Sequence, residues 1–363
     1  MTKIDEESIV IFIADLESGG AQKVAVGLAR DLVKSGRRVT IVTLQGGKTD
    51  FHALPDGVAR LTLENCNRYK GLRANLCRII ALRRVLKDLR AQAIISFIAP
   101  SNVLAIWAGF GLKTRVIISE RNDPARQSFG RFWDILRVMS YRFADCVTAN
   151  SQNAVFKAKQ YVSDNKMHFI PNGLSDVCDD SVSKECEILI VGRLHPQKNH
   201  KILLQAFEII SKNYNNWRLV IAGDGALRGD LIKQSQGLKI SNKADFLGLV
   251  KDPAPLYARA SIFVLPSLHE GTPNALLEAM SHGVPPIISD ACEGAFPYVT
   301  DGISGLIVPV NDVTALANAI EGLIIDENFR QDIGIHAKKA VKPLMGDAVF
   351  KQWEALLDNG GAQ

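Results

Sequence analysis

Short apolar runs, each followed by a loop and then a helical pattern or turn, recur along most of this chain. Such runs are typical of strands buried on both faces of a sheet. Strands that alternate with helices lie parallel, because each helix carries the chain back to the same edge. The sequence therefore predicts an α/β protein. The predicted strands are residues 9–14, 38–44, 93–97, 115–119 and 145–149, the last one ending the first sheet, and then 188–191, 218–222, 244–247, 262–265 and 286–288.

The length of 363 residues exceeds what one hydrophobic core usually serves, so two domains are expected. Pro171-Asn172-Gly173 and the polar segment after it mark the passage between them. The net charge of +5 suits an anionic ligand, a nucleic acid or a membrane surface. No RNA- or DNA-binding motif accompanies the charge, which disfavours nucleic acid.

The sequence favours a cytoplasmic protein. Residues 1–8 are polar and acidic, unlike a signal peptide, and no apolar stretch approaches the roughly 20 residues of a membrane span. The cysteines at positions 66, 77, 146, 178, 186 and 292 are scattered without C-x-x-C pairs. This spacing predicts free thiols, not disulfides or a metal cage.

The stretch 262–280 places two carboxylates around a strand-to-helix turn. Thr272 is a predicted N-cap, with Pro273 in the first helical position, so Glu270 precedes the helix and Glu278 lies on it. The first-turn amides of Asn274 and Ala275 suit a phosphate. The carboxylates would then accept hydrogen bonds from ligand hydroxyls. The alternative is that both are solvated surface glutamates.

A second strand end, at residues 192–199, carries Arg193 and Lys198, which suit a diphosphate. Cations fixed there would stabilise the negative charge that grows on a leaving diphosphate. The alternative is two solvated surface charges. His195 and His200 lie nearby without a third metal ligand, and the chain has no D-x-D triplet, so no metal site is predicted.

These segments resemble those of the retaining, nucleotide-sugar-dependent glycosyltransferases of family 4. The matching pieces are Gly19-Gly20-Ala21-Gln22, Pro171-Asn172-Gly173, Gly192-Arg193-Leu194 with Lys198-Asn199, Gly223-Asp224-Gly225, and Glu270 with seven residues before Glu278. The resemblance implies the GT-B fold, in which two Rossmann-like parallel-sheet domains face each other across a cleft. It implies an N-terminal acceptor-side domain of residues 1–172, with a C-terminal helix 346–363 packing back on it, and a nucleotide-sugar-binding domain of residues 173–345.

The resemblance also implies an activity. The expected enzyme is a retaining, metal-independent hexosyltransferase that needs no cofactor. It would move a hexose or N-acetylhexosamine from a nucleotide sugar, UDP-linked by family habit, to a lipid-linked saccharide in surface polysaccharide synthesis of the O-antigen or capsule type. Catalysis would rest on Glu270, Arg193 and Lys198. The implied donor-binding residues are Gly19, Gly20, Arg193, Lys198, Leu249, Val250, Gly271, Thr272, Pro273, Asn274, Ala275 and Glu278.

Each implied residue has a place along the donor. Glu278 would hold the ribose hydroxyls and Glu270 those of the sugar, while the Gly19–Gly20 loop would close over the phosphates. Leu249 and Val250 would offer backbone groups to the nucleobase. Relatives often have a histidine near residue 120 on the acceptor side. This chain has none there, and Arg121 or Asn122 is the predicted substitute.

The segment 68–90 carries eight basic residues and one acid, Asp88. On a helical projection its apolar side comprises Leu72, Leu76, Ile79, Leu82, Leu86 and Leu89. A basic amphipathic helix of this kind predicts docking on an anionic membrane, here the inner face of the cytoplasmic membrane. The basic, aromatic segment 126–142, with Phe129, Phe132 and Trp133, reinforces that prediction. The alternative is a domain helix with a solvated basic side.

Three other functions remain open at this stage. A nucleotide-sugar epimerase of the same fold would need no acceptor. A non-catalytic, two-lobed sugar-binding protein is disfavoured by the missing signal peptide. A dehydrogenase is disfavoured because the glycines at 19–20 and 223–229 do not have the dinucleotide-binding spacing. A close-packed turn explains Gly223, Gly225 and Gly229 better.

Overall fold

The computed structural model describes residues 8–47, 50–121, 129–174 and 182–358. The chain divides into two compact units, each built on its own parallel sheet. Unit 1 comprises Met1–Gly173 and Asp347–Gln363, and unit 2 comprises Leu174–Gly346. Together with the comparisons reported below, this architecture confirms the predicted fold class.

Unit 1 is built on a seven-stranded sheet in the order β3-β2-β1-β4-β5-β6-β7. All six residues of β1 are buried, because helices cover both faces of this sheet: α2, α3 and α4 pack on one face and α1 on the other. The strands are β1 (Ser8–Ile13), β2 (Arg38–Thr43), β3 (Ala59–Thr62), β4 (Ala93–Phe97), β5 (Arg115–Glu120), β6 (Cys146–Ala149) and β7 (Met167–Phe169). The helices are α1 (Gly20–Lys34), α2 (Gly71–Asp88), α3 (Ala99–Gly109), α4 (Arg131–Ser140) and α5 (Gln152–Ala158).

Unit 2 repeats the plan with a six-stranded sheet in the order β10-β9-β8-β11-β12-β13. Its strands are β8 (Glu187–Val191), β9 (Arg218–Ala222), β10 (Ala244–Gly248), β11 (Ile262–Leu265), β12 (Pro286–Ser289) and β13 (Leu306–Val308). Its helices are α6 (His200–Ser211), α7 (Arg228–Gly237), α8 (Ala254–Arg259), α9 (Asn274–Ser281), α10 (Val313–Ile325) and α11 (Glu327–Val341). The chain then returns to unit 1 as α12 (Ala348–Asp358), whose Trp353 lies in the core of that unit.

Both sheets have the doubly wound strand order. Successive strands are added towards one edge of the sheet and then, from the middle, towards the other edge. The reversal falls between β1 and β4 in unit 1 and between β8 and β11 in unit 2. Chain crossovers leave on opposite faces at such a point and open a crevice at the carboxyl ends of the strands, where ligands bind. In unit 2 the loops after β8 and β11 carry most of the predicted donor residues, and Leu249 and Val250 follow β10.

Three strands were not predicted. The interpretation of residues 145–149 as the last strand of the first sheet is wrong, because β7 pairs in parallel with β6 beyond it. The edge strand β3 was missed because its residues are exposed or half-buried and give no apolar run. The edge strand β13 has only three residues, too few for a recognisable pattern.

The prediction that all cysteines are free is wrong for one pair. Cys66 and Cys77 form a disulfide, with their Cα atoms 5.6 Å apart, which joins the short helix Glu64–Arg68 to α2. The turn between these helices brings the two residues together, and their separation of 11 residues matches no recognisable motif. Cys146, Cys186 and Cys292 are free, and Cys178 lies outside the described residues.

Candidate active site

Four loops at the carboxyl edge of the unit 2 sheet are joined directly by backbone hydrogen bonds. They follow β10, β9, β8 and β11, which are neighbours in that order. The bonds run from N–H to carbonyl oxygen, from Gly223 to Gly248 (2.8 Å), from Leu194 to Asp224 (2.9 Å) and from Leu268 to Gln197 (2.8 Å). Segments that are far apart in sequence therefore form one continuous row.

Glycines make the close approach of two of these loops possible. Gly223 and Gly225 have φ angles of 146° and 158°, which residues other than glycine rarely adopt. A methyl group at Gly223 would overlap the carbonyl oxygen of Gly192, and one at Gly225 would lie 2.6 Å from that of Leu194. The prediction of a close-packed turn is confirmed at Gly223 and Gly225 and is wrong for Gly229, which has open space around it.

Lys198 and Glu270 meet where the loops after β8 and β11 come together. The Lys198 Nζ lies 2.7 Å from the Glu270 Oε1, and their side chains are only 18% and 7% exposed. Burying two charges costs desolvation energy, which their attraction offsets only if the pair has good geometry. Here the opposite charges neutralise each other at the carboxyl ends of the strands.

Gln197 fixes the distance between the same two loops. Its backbone carbonyl accepts the N–H of Leu268, and its side-chain amide donates to the carbonyl of His269, at 2.9 Å. Sequence reasoning did not single out Gln197. Its neighbours in the motif were visible, but a partner 72 residues away in sequence was not.

A second residue that was missed is Gly294, which packs against the backbone of the Glu270 loop. A methyl group at Gly294 would overlap the carbonyl group of Gly271 and lie 3.1 Å from the carbonyl oxygen of Glu270. The short helix Glu293–Ala295 can approach the loop only because residue 294 has no side chain.

The arrangement leaves Arg193 available to a ligand. Its side chain is exposed and makes no hydrogen bond or ion pair with any of the residues described. A guanidinium presents a planar fork of donors that matches phosphate oxygens. Arg193 therefore offers positive charge at the same loop as Lys198 without having to break an internal contact.

Helix α9 begins one residue later than predicted. Pro273, not Thr272, is the N-cap, because its backbone, with φ −82° and ψ 86°, is not helical and the helix begins at Asn274. Gly271 and Thr272 lead into this turn, and the amides of Asn274 and Ala275 occupy its first positions. These amides and the positive end of the helix dipole favour an anion.

Glu278 is half-buried on α9, next to the fully buried Tyr257 of α8. Burial, and then the charge of Glu278, raises the pKa of Tyr257 well above its usual value. The Tyr257 hydroxyl makes no hydrogen bond of ordinary geometry within the described structure. The Tyr257 ring also packs on that of His282, with 5.6 Å between centroids.

Two buried groups beside the ion pair are neutral. Burial, assisted by the charge of Lys198, lowers the pKa of His200 to about 4, and neither ring nitrogen has a hydrogen-bond partner in the described structure. Burial, with a smaller contribution from Glu270, raises the pKa of Cys292 to about 11. His200 is therefore an uncharged base at neutral pH, and Cys292 a thiol instead of a nucleophilic thiolate. No cluster of three potential metal ligands occurs among the residues described.

The predicted nucleobase residues follow β10, at the far end of the row. Leu249 is 53% exposed, while Val250 packs against the unit 2 core. Gly248, which precedes them, has a φ of 71° and accepts the bond from Gly223. Leu249 and Val250 therefore lie at the same edge as Arg193 and Lys198, separated from them by the β9 loop.

In unit 1, Gly19 and Gly20 lie at the start of α1, after the carboxyl end of β1. Gly19 is the N-cap residue in an extended conformation, with φ −175°. A methyl group on Gly19 would overlap the side chain of Gln22, which donates a hydrogen bond to Asp15 at 2.9 Å. Only the flexible end of the Gln22 side chain would have to move, so packing does not explain this glycine, and the ligand role stays a prediction.

Arg121, the predicted acceptor-side residue, is buried at the end of β5. Its guanidinium donates to Ser119 Oγ (2.8 Å) and Asn172 Oδ1 (2.6 Å) and stacks on Phe97 and Trp353. It makes no ion pair with any described carboxylate, and burial lowers its pKa to about 9. Asn122, the other predicted residue, lies outside the described residues.

The basic helix α2 has apolar residues on two sides. Leu82 and Leu86 are buried in the core, whereas Leu72, Leu76 and Ile80 are 71%, 60% and 45% exposed. The prediction of one apolar side containing Leu72, Leu76, Leu82 and Leu86 is therefore wrong. Exposed Arg73, Arg84 and Lys87 lie on the outward side, while Arg83 donates to the carbonyls of Ala108 and Phe110, at 3.0 and 2.6 Å.

The chain matches two family models that together span most of its length. Residues 18–176 match the model "Glycosyltransferase Family 4", and residues 180–340 match "Glycosyl transferases group 1". None of the helices within the described ranges is both long and apolar enough to cross a membrane.

Curated relatives are similar over nearly their full length. A Campylobacter jejuni enzyme, GalNAc-alpha-(1->4)-GalNAc-alpha-(1->3)-diNAcBac-PP-undecaprenol alpha-1,4-N-acetyl-D-galactosaminyltransferase, is 34% identical over 96% of this chain and 98% of its own. The lipopolysaccharide core biosynthesis glycosyltransferase LpsE of Rhizobium meliloti is 26% identical over 86% of this chain and 88% of its own.

Among solved structures, HepE of Anabaena in complex with UDP and glucose superposes with a TM-score of 0.82, at 19% identity, over 98% of this chain and all of that one. The sucrose-phosphate synthase of Thermosynechococcus elongatus gives a TM-score of 0.79, at 18% identity, over 99% of this chain and all of that one. These similarities show the fold. Taken with the family models and the Campylobacter relative, they establish that this chain is a GT-B glycosyltransferase that belongs to glycosyltransferase family 4.

Proposed function

We propose that this enzyme transfers a hexose or N-acetylhexosamine, with retention of configuration, from a UDP-sugar to a lipid-linked saccharide in surface polysaccharide synthesis. The observation that carries the proposal is the row of loops in unit 2, which brings Arg193, Lys198, Glu270 and the start of α9 to one sheet edge. The Campylobacter relative, whose name specifies a diphospho-undecaprenol acceptor, supports the lipid-linked substrate.

The donor would lie along this row with its charged part against the cations. Arg193, Lys198 and the first amides of α9 take the diphosphate oxygens, and the positive charge they supply makes a metal ion unnecessary. Glu278 accepts hydrogen bonds from the ribose hydroxyls. Leu249 and Val250 offer backbone groups to the base, and Gly19 and Gly20 keep the phosphate-binding role that family membership implies.

The Lys198–Glu270 pair gives the ligand-free site a stable arrangement that the donor replaces. The diphosphate offers Lys198 a new anionic partner, and the sugar hydroxyls offer Glu270 new donors. Neither buried group is then left without a partner, which would be costly. The pair also limits the repulsion between the Glu270 carboxylate and an approaching diphosphate.

Transfer breaks the bond between the anomeric carbon and the diphosphate oxygen and forms a bond from the acceptor hydroxyl oxygen to that carbon on the same face. The acceptor proton passes to the leaving diphosphate. Arg193, Lys198 and the α9 amides stabilise the charge that grows on the diphosphate, and preorganised donors of this kind lower barriers by several kcal/mol. The buried, protonated Cys292 is not the nucleophile.

On the acceptor side, we propose that Arg121 acts indirectly. Its buried guanidinium holds Ser119 and Asn172, so it would shape the end of β5 without touching the sugar itself. The predicted role of Asn122 is retained as part of the proposal.

The basic face of α2 supports a peripheral location at the inner, cytoplasmic face of the membrane. Arg73, Arg84 and Lys87 are exposed on the same helix as exposed Leu72 and Leu76, which combines charge for anionic headgroups with apolar side chains for the interface. An acceptor anchored in the same membrane would then reach the enzyme by diffusion in two dimensions.

Thermal unfolding with UDP-, GDP- and ADP-sugars tests the donor site. A ligand at about 100 times its Kd stabilises the native state by about 2.7 kcal/mol, and we expect this for the UDP-sugar. Arg193→Gln removes no internal contact and should still reduce the stabilisation, because only the ligand uses Arg193.

The matched control is Lys201→Gln, a change at an exposed site on α6. It should retain the full stabilisation. If no nucleoside diphosphate sugar stabilises the wild-type protein, the proposed donor site is wrong. Conversion of a UDP-sugar to a new sugar at full rate without an acceptor would indicate an epimerase instead.

A further inference from the structure

The outward face of α4 is apolar where a solvent-facing helix would be polar. Phe132, Ile135, Val138 and Met139 are 47%, 58%, 47% and 53% exposed. The core side of the same helix is occupied by Trp133 and Leu136, with Arg137 and Ser140 also buried. The helix thus carries a second apolar stripe that the domain core does not need. The sequence analysis assigned Trp133 to the segment expected to bind the membrane, but the structure places it on the core side.

This stripe continues into a corner formed by three aromatic rings. Trp107 lies 5.8 Å from Phe110 and 6.0 Å from Phe143, and Phe110 lies 5.8 Å from Phe143. All three side chains are at least 39% exposed. The Trp107 indole N–H donates to Ser140 Oγ, which fixes the corner to the end of α4. The corner and α4 therefore form one exposed apolar surface, which we name the α4 surface.

Basic groups border the α4 surface on both sides. Exposed Arg131 begins α4, and Arg142 stacks on Phe143 at 5.0 Å. Asp134, the acid within α4, pairs with buried Arg137. Towards α2, Arg83 donates to the carbonyl of Phe110, so the corner adjoins the basic helix directly. Apolar and aromatic side chains edged by arginines are the composition of a membrane–water interface.

We propose that the α4 surface inserts into the acyl-chain boundary of an anionic membrane, as a second attachment separate from the electrostatic one on α2. This inference rests on the proposed function, which supplies a membrane-anchored acceptor. Stable attachment to a membrane usually takes two signals, because charge alone or one apolar group alone binds reversibly and weakly. A second copy of the chain fits this surface less well, because its arginines would face each other across the interface.

Flotation with phosphatidylcholine vesicles containing phosphatidylglycerol tests the proposal. The double variant Ile135→Glu with Met139→Glu should lower vesicle binding by more than about tenfold, since two apolar side chains would no longer be buried. The defect should persist from low to high salt. By contrast, the defect of Arg73→Gln with Arg84→Gln should be largest at low salt and shrink as salt increases, because screening weakens the wild-type electrostatic attraction but not apolar burial. The matched control is Ile335→Glu, which changes an apolar residue of unit 2 that is 66% exposed and should leave binding intact.

Quenching of tryptophan fluorescence by lipids brominated on their acyl chains reports insertion independently of affinity. Trp107 is 39% exposed, whereas Trp217 and Trp353 are buried and Trp133 is partly buried on the core side of α4. We expect quenching in the wild type and a clear reduction of it in Trp107→Phe, which should still bind vesicles. Wild-type binding of the α4 double variant, or vesicle binding without quenching, would overturn the proposal. If the α4 double variant has a lower molecular mass than the wild type in light scattering but binds vesicles equally well, the α4 surface is an interface between two copies of the chain. That result would also overturn the proposal.

The two proposals fail in different ways. If the α4 double variant loses vesicle binding but keeps stabilisation by a UDP-sugar, the α4 surface is supported and the donor site stands. If the wild type binds vesicles with quenching but no nucleoside diphosphate sugar stabilises it, the proposed function fails while the membrane surface stands.

Discussion

Units 1 and 2 share a strand order but use different parts of it. In unit 2, charged and polar groups gather at the carboxyl ends of the strands, where hydrogen bonds join four loops. In unit 1, the corresponding end of β5 holds buried Arg121, and the exposed apolar residues gather on α2 and α4. In our proposal, the same scaffold provides a fixed chemical site in one unit and a broad contact surface in the other. Function lies in what is added to the fold and not in the fold itself.

The largest expected effect separates these two uses. Lys198→Ala and Glu270→Gln should each abolish transfer or lower kcat by at least about a hundredfold, because each removes a group placed at the reacting diphosphate or sugar. Transfer of labelled sugar, together with vesicle flotation, is the measurement. Lys201→Ala is the control for the lysine.

If unit 2 binds the donor and unit 1 binds the membrane independently, both variants should bind vesicles as the wild type does. Loss of vesicle binding in Lys198→Ala would contradict the separation of the two units' roles. Near-wild-type turnover in either variant would remove that residue from the proposed site.

A second expectation concerns acid sensitivity in unit 2. The pKa of His200 is lowered to about 4 in the folded state, from an ordinary 6.5. As pH falls below 6.5 the unfolded chain takes up a proton that the folded chain refuses, so the stabilisation present above pH 6.5 is lost down to about pH 4. The loss at pH 4.5 is on the order of 2–3 kcal/mol. Urea unfolding at pH 7.5 and 4.5 measures it.

His200→Leu should reduce this pH dependence and, since both ring nitrogens lack partners, should not destabilise the protein strongly at neutral pH. The control His336→Gln, at an exposed site on α11, should retain the wild-type pH dependence. An unchanged pH dependence in His200→Leu would show that this histidine does not control acid stability.

The smallest expected effect tests how precisely the unit 2 site is built. Gly294→Ala must displace the Gly271 carbonyl, and a shift of about 1 Å at a catalytic group costs on the order of a hundredfold in rate. Because the loop can relax, we expect a loss of about tenfold in kcat/KM for the donor. The control Gly322→Ala, in a helix with open space around it, should leave activity unchanged. Equal activity in both variants would indicate a more tolerant loop than the geometry suggests.

The sequence allowed the buried strands and the main loops to be predicted because these features are local. Apolar runs such as that of β1 are buried on both faces, and the glycine and proline positions of the β8 and β11 loops are visible in a short window. Short or exposed strands such as β3 and β13 gave no such pattern. The orientation of α2 could not be predicted, because this helix is apolar on two sides and only the sheet decides which side is buried.

The supporting residues of the candidate site were beyond prediction for another reason. Gln197 and Gly294 act on residues that are distant in sequence, and neither belongs to a pattern that signals its partner. The disulfide between Cys66 and Cys77 was missed for the same reason. The sequence allowed the groups proposed to meet the donor to be named, whereas the structure shows what holds them in place.

One contact in unit 1 has a consequence for engineering the chain. The guanidinium of Arg121 touches Asn172, just before the chain leaves unit 1, and Trp353 of α12, after it has returned. Shortening the C-terminus into α12 would remove one aromatic wall around a positive charge that no described carboxylate neutralises. A truncated or tagged protein would therefore have to preserve α12, because the end of the chain closes the interior of the domain with which the chain begins.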